Sequence, residues 1–176
     1  MSDPLSRQLH PLEVNSSTGE LFLRIPAPHS NIIITPPRLS DAPSIVPIQN
    51  DPAIYRWLVA PPFPFFEEHA TGWLETVKKA TDQAWAELQE AAATDAPPCM
   101  TSACPVRSIR EVKPDGTDEY LGDCEFRKSG FLWVIDKDER AKLIAENEAY
   151  VAGDPRTIWS VGCESSLLIV GGEWGR

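Results

Sequence analysis

Asp123 and Glu125 stand two residues apart in a stretch, residues 119–127, that reads as a β-strand, so their carboxylates share one face. Two like charges on one face raise one pKa when they are close and partly buried, and a carboxyl so tuned can do acid–base work. The bland counterpart is a solvated strand face with Arg127 and Arg110 as partners. Glu164 is a second candidate base, or an exposed residue beyond a strand. Cys124 and Cys163 are potential nucleophiles, yet no histidine lies near either in sequence to activate it, so buried structural thiols fit better. Cys99 and Cys104 are separated by four residues, and His10, His29 and His69 are scattered, which is not metal-ligand spacing; no zinc or other metal is expected. Arg38 follows a Pro-Pro pair and can meet either a phosphate or an acidic side chain. Tyr55, Trp57 and the run Phe63-Pro64-Phe65-Phe66 either line a pocket or pack as a rigid elbow.

The chain that must position these groups has 176 residues, enough for one domain with a real core. Residues 1–20 read as a polar leader and residues 21–176 as a single domain. Acidic residues number 26 against 16 basic, a formal net charge of −10. Such a surface repels phosphate backbones, which argues against nucleic acid as a partner and suits a cationic one such as an amine. No apolar run approaches the ~20 residues of a membrane helix, and no apolar segment follows the polar start, so neither a membrane partner nor a secretory signal is expected. Four cysteines in a chain of this size, without a signal, read as reduced thiols of the cytosol or nucleus.

Residues 21–25 and 31–35 are β-branched or aromatic runs stopped by prolines, and they can pair as a hairpin. Ser40 or Asp41 can cap a helix with Pro43 in its first turn, and Asn50-Asp51-Pro52 divides that segment into two short helices. A long helix follows at about residues 66–93, with Trp73, Val77, Ala80, Ala84 and Leu88 as its inward stripe and Leu74 and Trp85 beside it. Asp95-Ala96-Pro97-Pro98 ends it. Residues 105–112 and 119–127 are strands joined through Pro114-Asp115-Gly116, a turn in which proline presets φ and glycine takes a positive φ. Residues 136–150 form a charged helix with Leu143 and Ile144 inward, and a last strand begins at 157–161. The order predicts an α+β fold, with a mixed, mostly antiparallel sheet flanked by helices.

Four stretches, in this order, resemble the GCN5-related N-acetyltransferase superfamily, and in particular a fungal branch similar to ribosomal-protein N-terminal acetyltransferases. They are Ile34-Thr35-Pro36-Pro37-Arg38-Leu39-Ser40-Asp41, Asn50-Asp51-Pro52-Ala53-Ile54-Tyr55-Arg56-Trp57-Leu58, Cys104-Pro105-Val106-Arg107-Ser108-Ile109-Arg110-Glu111, and Gly153-Asp154-Pro155 with Ile158-Trp159-Ser160-Val161-Gly162. The likeness spans about residues 30–162. It implies acetyl-CoA in the cleft of a V-shaped sheet and direct transfer of acetyl to an amine, small-molecule or protein, through a tetrahedral intermediate and no acyl-enzyme. It implies Asp123 and Glu125 as catalytic bases bordering that cleft, the backbone of Val161 and Cys163 as partners of the pantetheine arm, and Tyr55, Trp57 and Phe63 on the acceptor side. The family's pyrophosphate loop, Arg/Gln-x-x-Gly-x-Gly/Ala, has no counterpart: Cys163-Glu164-Ser165-Ser166 follows Gly162, and Gly171-Gly172 and Gly175 read as a flexible tail. The expectation is therefore a C-terminally truncated or variant domain. Acetyl transfer to an amine stays the expected function, and the alternatives are a non-catalytic binding module on the same scaffold or a non-functional fragment.

Overall fold

Short runs of β-branched and aromatic residues become strands here wherever turn formers or prolines bracket them. The computed structural model describes residues 8–58, 61–94, 101–151 and 153–165. Within them lie β1 (Glu13–Val14), β2 (Leu21–Arg24), β3 (Ile32–Thr35), β4 (Ser108–Val112), β5 (Asp118–Lys128) and β6 (Trp159–Ser165). They form one six-stranded sheet in chain order, and every neighbouring pair is antiparallel. The fold is α+β. The parallel component implied by a mixed sheet does not occur among the described residues: each connection, short or helical, brings the chain back beside the strand it has just left.

The helices are α1 (Ala42–Gln49), α2 (Pro52–Tyr55), α3 (Glu67–Ala93) and α4 (Lys137–Ala149). A 3-10 turn at Leu39–Asp41 leads into α1. Asp51 caps α2 by accepting from the Ala53 N–H at 2.7 Å. Asn50 then clamps the proline elbow, donating to the Phe65 carbonyl at 2.7 Å and accepting from the Phe65 N–H at 2.9 Å. On α3 the buried residues are Ala70, Leu74, Thr81, Ala84 and Leu88. The inward stripe is thus turned slightly from the expected one: Ala80 is exposed and Trp73 and Val77 are only half-buried. Trp73 sits at the rim because its ring carries the Arg107 guanidinium, 5.1 Å from the centroid.

Two apolar clusters hold α3 to the sheet. Ala42, Ile45, Phe65, Ala70, Leu74 and Tyr120 form one, and Leu9, Leu21 and Leu88 the other. Leu9 falls in the stretch read as a polar leader. It is buried, and β1 adds a strand to the sheet, so residues 8–14 belong to the folded unit. Residues 1–7, Cys99, the expected helix stop at 95–98 and the tail at 166–176 lie outside the described residues.

The Pro-Asp-Gly turn joins β4 and β5, with Gly116 at φ 84°. A register shift between Ile109 and Arg110 sets Arg110 opposite Tyr120, on the side facing the helices. There the Arg110 side chain is almost fully buried. It donates to Thr35 Oγ1 at 2.8 Å and to Asp41 Oδ2 at 2.6 Å, and lies 3.2 Å from Asp118 Oδ1. Arg38 closes the chain of charges, bonded to both Glu20 and Asp118. Of its two sequence readings, acidic partners are the one observed. Burial pushes the Asp118 carboxyl up, but Arg38 and Arg110 outweigh it and hold its pKa below the ordinary value. Replacing Arg110 by leucine leaves Asp41 buried without its cation, which should cost about 3–5 kcal/mol, read as a drop in the urea midpoint at constant m-value.

Candidate functional site

Antiparallel register brings Thr35, Ser108, Asp123 and Glu164 opposite one another across β3, β4, β5 and β6. The row lies on the side of the sheet that faces α1 and α3. Asp123 is buried and accepts two bonds from Arg107, at 2.8 Å from Nε and 2.7 Å from Nη2. Arg107 Nη1 is also 2.8 Å from Glu125, and Arg127 approaches Glu125 at 3.2 Å. The carboxylate pair is thus neutralised by Arg107 and Arg127. Arg110, the other partner expected from sequence, is carried away along β4 because Ser108, not Arg110, stands opposite Asp123. Burial pushes the Asp123 carboxyl up against the pull of Arg107. Burial works the other way on Arg107, yet Asp123 and Glu125 more than offset it and its pKa is raised.

Glu164 is not an exposed residue past the last strand. It lies inside β6, half-buried, directly across from Asp123, and accepts from the side-chain amide of Gln49 at the end of α1. Burial pushes its pKa up, with the Asp123 charge adding to this, to about 7. It has no cation in direct contact among the described residues, unlike Asp123 and Glu125. The titrating carboxyl is therefore the one that has a neutral amide as its partner.

The backbone of β6 has two sides. Cys124 donates its N–H to the Arg107 carbonyl at 2.9 Å, so its polar backbone groups point toward β4. Its partner across β5–β6, Cys163, then sits at a non-hydrogen-bonded position, as does Val161 opposite Phe126. The N–H and C=O of Val161 and Cys163 consequently point away from β5. Among the described residues β6 is an outer strand of the sheet, so these groups form a free edge. Gly122 allows β6 to lie this close: a Cβ there would meet the Glu164 carbonyl oxygen and stand 2.6 Å from the Ser165 Cα.

Of the three aromatic candidates, two are brought together. Tyr55 and Phe63 stack with ring centroids 4.4 Å apart, beside the elbow that Asn50 clamps. Trp57 and Phe63 are exposed. A separate open groove of about 990 Å³ runs between α3, the 8–12 segment, the 101–105 loop and the ends of β5 and β6. Glu125, Arg107 and Arg127 line it, whereas Glu164 and the aromatic group do not. Structure therefore divides the sequence candidates: Glu125 faces the groove, Glu164 meets Gln49 at the end of α1, and Tyr55 and Phe63 stack beside the elbow. Gln49, Arg107 and Gly122 were not singled out from sequence. A glycine in the middle of an otherwise regular strand was a signal for a close approach, but nothing local marks Gln49.

No group of three or more His, Cys, Asp or Glu side chains among the described residues is placed to hold a metal ion. No described helix is long and apolar enough to cross a membrane. Comparison of the chain with protein-family models, with curated proteins and with solved structures finds no match.

Two outcomes follow from this geometry. Because folding raises the Glu164 pKa, the folded chain binds that proton more tightly than the unfolded one. Its contribution to stability is complete below about pH 4.5 and is lost as pH rises through about 7. Glu164→Gln should remove up to about 3 kcal/mol of that decline between pH 5 and 8, measured by urea titration at each pH. Gly122→Ala should push β6 off its register, seen as loss of amide-exchange protection at Gly162 and Glu164 with the α3 core retained.

Proposed function

We propose that the chain is a GCN5-related N-acetyltransferase-like domain that passes acetyl from acetyl-CoA to an amine, with Glu164 as the base. The observation that carries this reading is the edge of β6 that, among the described residues, no other strand covers. It sets the outward N–H and C=O of Val161 and Cys163 on the same strand as a half-buried carboxyl that titrates near neutrality. An outward strand edge fits the amides of a pantetheine arm by ordinary β-addition. Acetyl-CoA, when bound, supplies an activated thioester.

The chain's own residues then have two tasks. Glu164 accepts the proton that an ammonium acceptor must lose before it can attack, and its pKa near working pH makes it efficient at that. Gln49 holds the carboxyl in place without quenching it as an arginine would. Asp123 and Glu125, bound to Arg107, act as fixed charges; Asp123 raises the Glu164 pKa. Tyr55 and Phe63, stacked beside the elbow, and exposed Trp57 offer aromatic surface for the acceptor. A net charge of −10 favours a cationic acceptor over long range.

The residues fit the pantetheine portion better than the pyrophosphate. The second reading is a non-catalytic binding module on the same scaffold, which the buried Arg107–Asp123 and Arg110–Asp41 pairs would hold together whether or not acetyl-CoA binds. A thermal melt separates the two. Acetyl-CoA at a hundredfold excess over its dissociation constant stabilises by ~2.7 kcal/mol and must raise the midpoint. The enzyme reading also expects kcat to rise with pH through about 7 and Glu164→Gln to lower it by about 10²-fold or more, with the acetyl-CoA shift intact. A cooperative melt that acetyl-CoA leaves unmoved overturns the enzyme reading and leaves the binding module.

A further inference from the structure

On the face of β5–β6 turned away from the helices, Cys124 and Cys163 stand directly opposite each other. The Arg107–Cys124 backbone bond makes this a non-hydrogen-bonded pair, in which Cα atoms are about 4.5 Å apart and side chains lie closest. That separation falls inside the range a disulfide spans, about 4.4–6.8 Å. Both thiols are free; Cys163 is exposed and Cys124 half-buried. The third described thiol, Cys104, is engaged elsewhere. Its Sγ lies 3.3 Å from both the N and the O of Phe126, on the β4 side of β5, where it stands in for a missing strand partner.

We infer that Cys124 and Cys163 are a reversible dithiol–disulfide pair that bolts the outer strand β6 to β5, set by small-molecule disulfides such as oxidised glutathione. This inference is independent of the acetyl-transfer reading, since it uses only the register and the opposite face of the sheet. Cys163, the accessible thiol, attacks as its thiolate. One S–S bond breaks, a mixed disulfide forms and one glutathione thiolate leaves. Cys124 then attacks the Cys163 sulfur and expels the second glutathione thiolate. Two protein thiols are oxidised, one glutathione disulfide is reduced to two thiols, and the two cysteine protons end on the glutathiones.

Burial, together with the charges of Cys163, Asp123 and Cys104, pushes the Cys124 thiol up to about 12, so the closing step quickens as pH rises. A cross-strand bridge of this kind is exposed on one side and is easily reduced again. Its effect is mechanical: β6 carries Glu164 next to Cys163, and oxidation ties that strand to β5.

The test is to equilibrate the full chain, under native conditions, with mixtures of reduced and oxidised glutathione, then read intact mass and map the cross-linked peptides. The expected result is loss of two hydrogens, with Cys124–Cys163 as the dominant linkage, returned to the dithiol by reduced glutathione. Cys104→Ser should leave that linkage unchanged. Cys163→Ser, at an exposed position, should abolish it. Dominant pairing of any other two cysteines, or a mixed disulfide at Cys163 that never resolves onto Cys124, overturns the inference.

Discussion

Two buried arginines set the terms for the rest of this molecule. Arg107 and Arg110 enter the helix-facing side of the sheet three residues apart on one segment, and each is compensated there by carboxylates. Charges of this kind are expensive to desolvate and are tolerated only when hydrogen-bonded and paired. Arg110 therefore obliges Thr35, Asp41 and Asp118 to converge, and with them β3, the entry to α1 and the start of β5. Arg107 obliges Asp123 and Glu125 to turn the same way and occupies the face of Trp73. The helices are thus held to the sheet by specific polar contacts as well as by the Ala70–Leu74–Ile45 core.

The same constraint shapes the site. Arg107 neutralises Asp123 and shares Glu125 with Arg127, which leaves Glu164 as the carboxyl whose proton is free to move. Glu164 lies beside Asp123 because Gly122, one position away, lets β6 approach without a side chain in between. A neutral amide, from Gln49, completes its surroundings. Chemistry at this end of the sheet is set by which carboxylate lacks an arginine, not by which is nearest another carboxylate.

The strand edge and the thiol pair come from one alternation of backbone direction. Cys124 points its N–H and C=O at β4, so Cys163 points its own outward. Among the described residues no strand lies beyond the outward groups, and the paired side chains come together on the far face. A single register therefore builds two features with unrelated chemistry on two sides of one strand.

Much of the frame was legible in sequence because its signals are local. The Pro-Asp-Gly turn, the Asn50-Asp51-Pro52 break and the alternation along 105–112 depend on near neighbours, and all correspond to observed elements. The same-face placement of Asp123 and Glu125 followed from strand periodicity alone. Of the ion-pair partners, Arg127 was legible and Arg107 was not, because a one-position shift at Ile109/Arg110 and the register of β5 decide whether Arg107 or Arg110 meets Asp123. Glu164 looked like an exposed end, since nothing near it in sequence shows that α1, more than a hundred residues earlier, brings Gln49 over it. The sequence by itself determined which segments become strands, helices and turns, because those choices are settled within a few residues. Only the tertiary structure decided which charges are paired and which carboxyl titrates near neutrality, because desolvation and ion pairing act between strands that the chain joins late.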